Sequence, residues 1–266
     1  MKLEKSKLER ITQDLIEWIR NMMVNNGGNK AVIGISGGKD GSVVAALCVE
    51  ALGKENTIGI LMPDGIQKDI NYAYEICDYL GIPHATVPIN KITEAFFSSL
   101  EGMSSDFIPV ISKKTKLNLP PRVRMTLLFA ISQSIVGSRV INNSNLSEDW
   151  VGYVTVYGDS AGALAPLAML TTDEVIQVGR QLGVPDKFLV KPPEDGLTGK
   201  TDEEVLGFSY DILNQYIRKG VIEDKRTKSI IDKLHKYSRF KYLPMPVFQP
   251  DLPIKATDMA GIYKNK

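Results

Sequence analysis

The sequence predicts an α/β protein, a doubly wound parallel sheet flanked by helices, with a helical C-terminal extension. Short apolar runs rich in β-branched residues, which are typical of buried strands, alternate along the chain with longer segments of helical periodicity. Alternation at this spacing implies right-handed crossovers between parallel strands. With 266 residues the chain can bury one substantial core. We therefore expect one domain over residues 1–266, with its core at about 25–190.

Each element follows from its own local pattern. Residues 1–20 carry apolar side chains at helical spacing among many charges, which predicts an amphipathic first helix. The helix that precedes the fourth predicted strand is expected to begin at Leu119–Pro121, where two prolines are adjacent. The predicted strands are residues 30–36, 57–62, 84–89 and 139–142. The predicted helices are residues 42–52, 66–80, 92–100, 119–136, 171–182, 203–218 and 223–235.

Composition argues against several classes of protein. Lys and Arg number 32 against 31 for Asp and Glu, and no block of like charge occurs, so no nucleic-acid partner is expected. No run of about 18 apolar residues predicts a membrane span, and the charged N-terminus does not resemble a signal peptide. Cys48 and Cys77 lie in apolar helical patterns without metal-ligand spacing, which indicates buried thiols. A soluble, cytoplasmic protein without a membrane partner is expected.

The composition changes after residue 190. Residues 191–203 are rich in Pro, Gly and charge and include Lys200, which predicts a mobile loop of the kind that covers an active site. Two further helices and a tail follow at 203–266. We expect a lid at about 191–203.

A glycine-rich loop, Ser36 to Ser42 (SGGKDGS), stands where a buried strand turns into an apolar helix. Glycines there let successive backbone N–H groups point into one concavity, and the helix presents its positive end to an anion. Phosphate is the natural ligand. The simpler interpretation is a tight turn made by Gly37 and Gly38.

Two acidic residues are candidate ligands of a magnesium ion. Asp40 would lie beside the phosphates, a position that a carboxylate tolerates if a divalent cation neutralises it. Glu148 follows the strand predicted at 139–142 and can reach the same edge of the sheet. Both residues could instead be acids at helix starts without any metal.

The loop resembles the SGGxDS motif of the N-type ATP pyrophosphatases, and residues 5–248 resemble the ammonia-dependent NAD synthetase family. The resemblance is carried by motifs in the family's order: LMPDG, LPPRVRM, LSEDWVGY, YGDSAG, LGVP, KPPEDGL, KTDEEVLGFSYD and PMPVF. It implies an adenine nucleotide alpha-hydrolase-like fold and a homodimer. It also implies a ligase that adenylates deamido-NAD with ATP and lets ammonia displace AMP, giving NAD, AMP and pyrophosphate.

The resemblance also implies roles for particular residues. Asp40 and Lys200 would be catalytic, Asp40 and Glu148 would bind Mg²⁺, and Arg122, Tyr157 and Asp159 would contact deamido-NAD. The residues implied to bind ATP are Gly34, Ile35, Ser36, Gly37, Gly38, Lys39, Asp40, Gly41, Ser42, Met62 and Asn143.

Several family positions are altered, and they cluster where polar contacts to nucleotides are expected. Gly41 stands where the family has Ser, although Ser42 follows one place later. The other altered positions are Asn142 and Asn143 for a Gly-Thr pair, Val156 for a basic residue, Ala163 for Asp, Thr172 for Lys, Glu194 for Thr, and Arg239 and Phe240 for a His-Lys pair. Two alternatives therefore stay open: an adenylating ligase that acts on a different carboxylate, or a catalytically silent nucleotide-binding protein.

Two further expectations concern charge and the nitrogen donor. The cations available to compensate for the lost contacts are Lys39, Lys200, Arg239 and Lys241. Hydrolysis of glutamine needs an amidase domain with a Cys nucleophile, for which the chain is too short and its cysteines lack the setting. Free ammonia, or ammonia delivered by a partner, is the expected donor.

Overall fold

The computed structural model describes residues 2–103, 111–190 and 201–257. Within them, four parallel strands form one sheet in the order β3-β2-β1-β4. The strands are β1 (Lys30–Gly34), β2 (Thr57–Leu61), β3 (His84–Thr86) and β4 (Ser138–Ile141). The helices are α1 (Lys5–Asn25), α2 (Lys39–Leu52), α3 (Ile70–Leu80), α4 (Asn90–Glu101), α5 (Lys113–Ser134), α6 (Leu146–Val151), α7 (Thr172–Gln181), α8 (Asp186–Leu189), α9 (Asp202–Leu206), α10 (Tyr210–Lys219) and α11 (Lys225–Ser238), with 3-10 turns at Lys54–Asn56 and Arg239–Lys241.

Helices cover both faces of the sheet. Successive side chains of a strand point to opposite faces, and β1 shows this directly. Ile33 packs with α1, α2, α3 and α7, whereas its neighbour Val32 packs with α4 and α5 on the other side. The predicted doubly wound parallel sheet is confirmed. Cys48 and Cys77 are buried in the first of these cores, as predicted.

The predicted start of α5 is wrong. The helix begins at Lys113, where the Ser112 hydroxyl accepts a hydrogen bond from the amide of Thr115, and Pro120 and Pro121 lie inside it. Proline removes an N–H donor and disfavours a helix interior, so a local pattern places it at a helix start. Pro120 is buried here, and tertiary packing overrides the local preference.

Other boundaries also differ from the prediction, and three of them change the shape of the chain. The loop after β2 runs to residue 69, so α3 begins at Ile70 rather than at 66. The strand β3 ends at Thr86 instead of 89, at the edge of the sheet. The helix predicted at 203–218 is two helices, because the chain turns at Gly207 with a φ of +80°.

The C-terminal extension packs against α6, which directly follows β4. Val151 of α6 meets Leu213 of α10 and Ile231 of α11 in a third apolar cluster. The extension is thereby held at the edge of the sheet where the strands end. In the described part of the chain, no helix has both the length and the apolar composition to cross a membrane. The division into a core, a lid and a C-terminal part stays a prediction, since residues 191–200 lie outside the described residues.

Candidate active site

The glycine loop joins the carboxyl end of β1 to the first turn of α2. Gly37 has a φ of +81°, and a Cβ there would lie 2.6 Å from the backbone nitrogen of Ala73, so α3 packs directly against the loop. Gly38 is the N-cap of α2 and has no side chain to cap the helix. The first-turn amides of α2 are therefore left without a side-chain cap, which is the arrangement that binds anions at helix N-termini.

Asp40, Lys39 and Glu148 meet at this edge of the sheet. The Lys39 Nζ lies 2.9 Å from Asp40 Oδ2 and 3.8 Å from Glu148 Oε1. Asn145 supports both acids, since its Nδ2 donates to Asp40 Oδ1 over 3.1 Å and its Oδ1 accepts from the amide of Glu148. The structure thus brings together the two carboxylates that the sequence singled out, on helices that follow two neighbouring strands.

The charges of this cluster act strongly on one another. Burial raises the pKa of Glu148, and the neighbouring Asp40 raises it further, while Lys39 opposes both. Burial alone would lower the pKa of Lys39, but Asp40 and Glu148 more than offset it, so the net pKa is raised. Asp202, at the start of α9, raises the pKa of both groups. Lys39 is therefore a firmly protonated cation among acids.

The donor set fits a small divalent cation. Mg²⁺ prefers oxygen ligands, typically one or two carboxylates together with substrate phosphates. Asp40 and Glu148 offer two carboxylates next to the anion-binding turn, with the Lys39 ammonium between them. Within the described residues no group of three or more His, Cys, Asp and Glu side chains could hold a metal ion, so this pair would need oxygen ligands from a bound phosphate or water.

The residues assigned to the dinucleotide lie around the N-terminal half of α5. The Arg122 Nε donates to the carbonyl of Val156 over 3.1 Å. The next residue after Val156, Tyr157, is 71% exposed and has a φ of +60°. That φ is uncommon for a residue other than glycine, and in the described chain Tyr157 alone among such residues adopts it. Arg124 instead anchors the loop after β2, donating to the carbonyl of Met62 over 3.0 Å.

The carboxylate of Asp159 is hydrogen-bonded within its own loop, although the residue is exposed. Its Oδ1 accepts from the amide of Thr155 over 2.6 Å, and its carbonyl accepts from Asn142 and Ser144. Burial raises the pKa of Asp159 despite these hydrogen bonds. In this conformation Asp159 shapes the loop that presents Tyr157.

Comparison with known proteins decides the family. The sequence model of the NAD synthase family matches residues 11–243. This chain belongs to that family. The NH(3)-dependent NAD(+) synthetase of Methanosarcina acetivorans is 37% identical over 242 residues, which are 87% of this chain and 92% of that protein. The protein of the same name from Archaeoglobus fulgidus is 34% identical over 247 residues, 90% of this chain and 96% of that one.

Solved structures agree in fold over nearly the whole chain. The NMN synthetase from Francisella tularensis superimposes with a TM-score of 0.81 at 29% identity, covering 92% of this chain and 99% of that one. An NH3-dependent NAD synthetase from Campylobacter jejuni gives a TM-score of 0.73 at 25% identity, covering 93% and 100%.

Ser42 and Asn143 are the two polar residues nearest to the serine position that Gly41 occupies in the NAD synthase motif. Ser42 is fully buried, and its hydroxyl donates to the carbonyl of Gly38 over 2.8 Å, so it is bonded within α2. The Asn143 Nδ2 instead donates to the carbonyl of Gly34 over 2.7 Å, beside Gly41. The hydroxyl of Ser42 does not replace the side chain missing at position 41, whereas the amide of Asn143 lies next to it.

Besides Lys39, two of the cations expected to compensate for lost contacts are already hydrogen-bonded to carbonyls of the chain. Arg239 donates to the carbonyls of Asp149 and Trp150, and Lys241 donates to those of Gly152 and Val154. These bonds cap the C-terminal end of α6, where helix carbonyls otherwise lack partners. Thr172 is buried, and its amide donates to Ser147 Oγ over 3.0 Å. Lys200 and Glu194 lie outside the described residues.

Sequence reasoning missed Asn145 and Asp202. The polar run that follows β4 could have pointed to Asn145, since polar residues at strand ends commonly face a ligand site. Asp202 carries no such local signal, because it looks like any acid in the first turn of a capped helix. Only the packing of the C-terminal extension brings it to the cluster.

Two cavities differ in their position relative to the acid pair Asp40 and Glu148. One of about 210 Å³ lies beyond the carboxyl end of β4 and is bounded by Asn142, Asp149 and Tyr242. A larger one of about 640 Å³ lies between α1 and residues 181–182, and no residue of the glycine loop or of the acid pair lines it. The smaller cavity touches α6, the helix that carries Glu148.

Proposed function

We propose that this chain is an ATP-dependent amide ligase that converts deamido-NAD and ammonia into NAD, with release of AMP and pyrophosphate. The observation that carries the proposal is the pairing of Asp40 with Glu148 beside the uncapped first turn of α2. That pairing occurs in a chain that is 34–37% identical to NH(3)-dependent NAD(+) synthetases over most of its length.

In this proposal the glycine loop binds the triphosphate of ATP. The amides at the start of α2 and the residues from Gly34 to Ser42 would hold the phosphate oxygens. Met62 would lie toward the adenosine, and Asn143 would also contact ATP. Asp40 and Glu148 would hold Mg²⁺, which neutralises charge on the departing pyrophosphate when it is bound. Lys200 is proposed to act beside Asp40 during adenylation. Positioning the carboxylate of the second substrate next to the α-phosphate supplies much of the remaining rate.

The second substrate is proposed to bind where Arg122 and Tyr157 are exposed. The Arg122 guanidinium is held by the carbonyl of Val156 and retains donors for a phosphate or a carboxylate. The unusual backbone of Tyr157 keeps an aromatic ring at the surface, and such outliers cluster at ligand sites. Asp159 would act through the shape of this loop.

The remaining assignments extend the same proposal. Ammonia is proposed as the nitrogen donor, which agrees with the names of the curated relatives. A homodimer is proposed, supported by the exposed apolar side chains Phe240, Met245, Val247 and Phe248 near the C-terminus. We also propose that the enzyme uses Mg²⁺ as its cofactor and acts in the cytoplasm.

A second candidate is the amidation of a mononucleotide. The solved NMN synthetase gives a higher TM-score than the NAD synthetase structures, at 0.81 against 0.73, and a higher identity. Nicotinamide mononucleotide is NAD without its AMP half, so its acid precursor needs fewer contacts. Cations that could hold a second nucleotide, Arg239 and Lys241, are bonded to carbonyls of the chain. The curated relatives, at higher sequence identity, favour deamido-NAD.

One competition experiment separates these candidates. The protein is incubated with ATP, Mg²⁺ and ammonium, together with equal concentrations of deamido-NAD and nicotinate mononucleotide, and both amides are quantified. The leading proposal requires NAD to form with the larger kcat/KM, whereas predominance of nicotinamide mononucleotide replaces it with the second. Tight ATP binding without either product or AMP identifies a silent nucleotide-binding protein.

Substitution ties the activity to the cluster. Asp40→Asn should reduce AMP release by at least about a hundredfold, because one carboxylate of the metal pair is lost. Asp14→Asn, an equal change on the exposed face of α1, is the matched control and should leave the rate unchanged. Equal rates for the two variants would remove Asp40 from the proposed chemistry.

A further inference from the structure

Lys39 is buried although it carries a full charge. Only 9% of the residue is exposed, and lysine is rarely buried to this extent unless its ammonium is paired. It is the first residue of α2, so its backbone belongs to the anion-binding turn while its side chain reaches the acids. Lys39 therefore contributes its backbone to the anion-binding turn and its ammonium to the acid pair.

The ammonium of Lys39 lies between acids of two helices. It contacts Asp40 of α2 at 2.9 Å and Glu148 of α6 at 3.8 Å. A single positive charge thus offsets two acids from separate helices.

This position conflicts with a simple metal site. A divalent cation held by Asp40 and Glu148 would lie next to the ammonium, and like charges at such distances repel strongly where water is excluded. Either the ammonium moves or the metal stays out. When a triphosphate is bound at the first turn of α2, the flexible four-carbon side chain of Lys39 can pair with a phosphate instead of with the two acids.

We propose that Lys39 is a resident counter-cation that occupies the space between Asp40 and Glu148 until nucleotide binds, so that the divalent metal enters only together with the nucleotide. Lys39 then turns from the acids to the phosphates and continues as a phosphate ligand. The inference rests on the metal pair of the proposed function. It adds an order of binding that the pair alone does not require.

A purely structural lysine would behave differently. If Lys39 only ties α2 and α6 together, removing its charge weakens the fold but creates no metal site. If it is a counter-cation, removing its charge leaves Asp40 and Glu148 without a neutralising partner, and the pair gains affinity for a free divalent ion. Metal binding without nucleotide therefore separates the two roles.

The test is a titration with Mn²⁺ in the absence of nucleotide, in which free Mn²⁺ is measured by electron paramagnetic resonance. Wild type should bind Mn²⁺ weakly, and Lys39→Gln should bind one ion at least about tenfold more tightly. Lys7→Gln, the same change of charge on the exposed face of α1, is the matched control and should match wild type. Equal affinity of wild type and K39Q for Mn²⁺ would overturn the proposal.

A second measurement, of melting temperature, applies if the K39Q protein is too unstable without metal for the titration. Its melting temperature should rise with added Mg²⁺, while that of wild type and of K7Q stays constant. A rise of the same size in all three proteins contradicts the proposal. Both readouts are independent of product formation, so an enzyme that makes neither amide would defeat the proposed function and leave this test intact.

Discussion

The side-chain amide of Asn143 and the bare Cα of Gly41 share one small space at the start of α2. A Cβ on Gly41 would lie 3.5 Å from Asn143 Nδ2 and 3.3 Å from the Gly34 carbonyl, to which that amide donates. The two departures from the family motif are thus one structural change. A polar group is still present beside the loop, but it comes from the end of β4.

Gly41→Ser should conflict with Asn143. The new hydroxymethyl group competes for the Gly34 carbonyl, and the neighbouring backbone of β1 has little freedom to yield. Adding Asn143→Thr gives positions 41 and 143 the two residues usual in the family and should relieve the conflict. In a double-mutant cycle of unfolding free energies, the coupling between the two substitutions should be about 0.5–3 kcal/mol. The same cycle with Gly102→Ser, where an added Cβ makes only ordinary contacts far from Asn143, should be additive. Additivity in the Gly41 cycle would show that the two residues do not interact.

Gly37→Ala should damage the loop more than its backbone angle alone explains. The added Cβ would lie 2.6 Å from the Ala73 nitrogen, and φ is +81°. Strain of about 1–2 kcal/mol is common to any such substitution, and displacement of α3 adds to it. Gly65→Ala has a similar φ of +77° in open space, so it isolates the backbone cost. Calorimetry should show weaker ATP binding and a lower melting temperature for G37A than for G65A; identical losses would mean that α3 does not constrain the loop.

Asp149→Asn should remove a pH dependence of stability. Burial raises the pKa of Asp149 from 3.8 to about 6, although Tyr242 and Arg239 oppose this. A carboxyl with a raised pKa in the folded state stabilises the fold fully below about pH 4, and this contribution is lost as the pH rises through about 6. The neutral variant should therefore exceed wild type at pH 7.5 by up to about 3 kcal/mol and match it near pH 4.

Urea unfolding between pH 4.5 and 8 measures the Asp149 effect. Asp14→Asn, which replaces an exposed acid, should follow the wild-type curve. A variant curve parallel to wild type over the whole range would exclude Asp149 as the source of the dependence.

Arg218→Met should destabilise the contact between α7 and α10. Glu174 is 3% exposed, and the hydrogen bonds from Arg218 at 2.7 and 2.5 Å outweigh burial, so the pKa of Glu174 is lowered. Without the guanidinium a buried carboxylate is unpaired, which costs about 3–5 kcal/mol when fully enclosed and less here because Arg218 is partly exposed. The loss should shrink as the pH falls and Glu174 becomes protonated.

The matched control for Arg218 is Arg180→Met. Arg180 pairs with Asp186 at 2.8 Å on the surface, where such pairs contribute at most about 1 kcal/mol. Denaturant unfolding should therefore rank R218M well below R180M. Equal losses would indicate that the Glu174–Arg218 pair is solvated in solution.

The doubly wound sheet and the glycine loop were predictable from sequence because their signals are local. Apolar periodicity reports burial of strands and helices directly, and glycines between a strand and a helix report a turn of defined geometry. Boundaries were less predictable: α5 begins before its prolines because burial of Pro120 outweighs the cost of its missing donor. The motif order that identifies the family is likewise a property of the sequence alone.

The sequence by itself thus determined the fold, the family and the position of Asp40 and Glu148 at strand ends. The tertiary structure decided that Lys39 lies between those acids, that Asp202 joins them from α9, and that Asn143 occupies the space beside Gly41. The physical reason is range. Secondary structure depends on neighbours within a few residues, whereas a charge cluster is set by which distant helices pack together and by the cost of burying each charge without a partner.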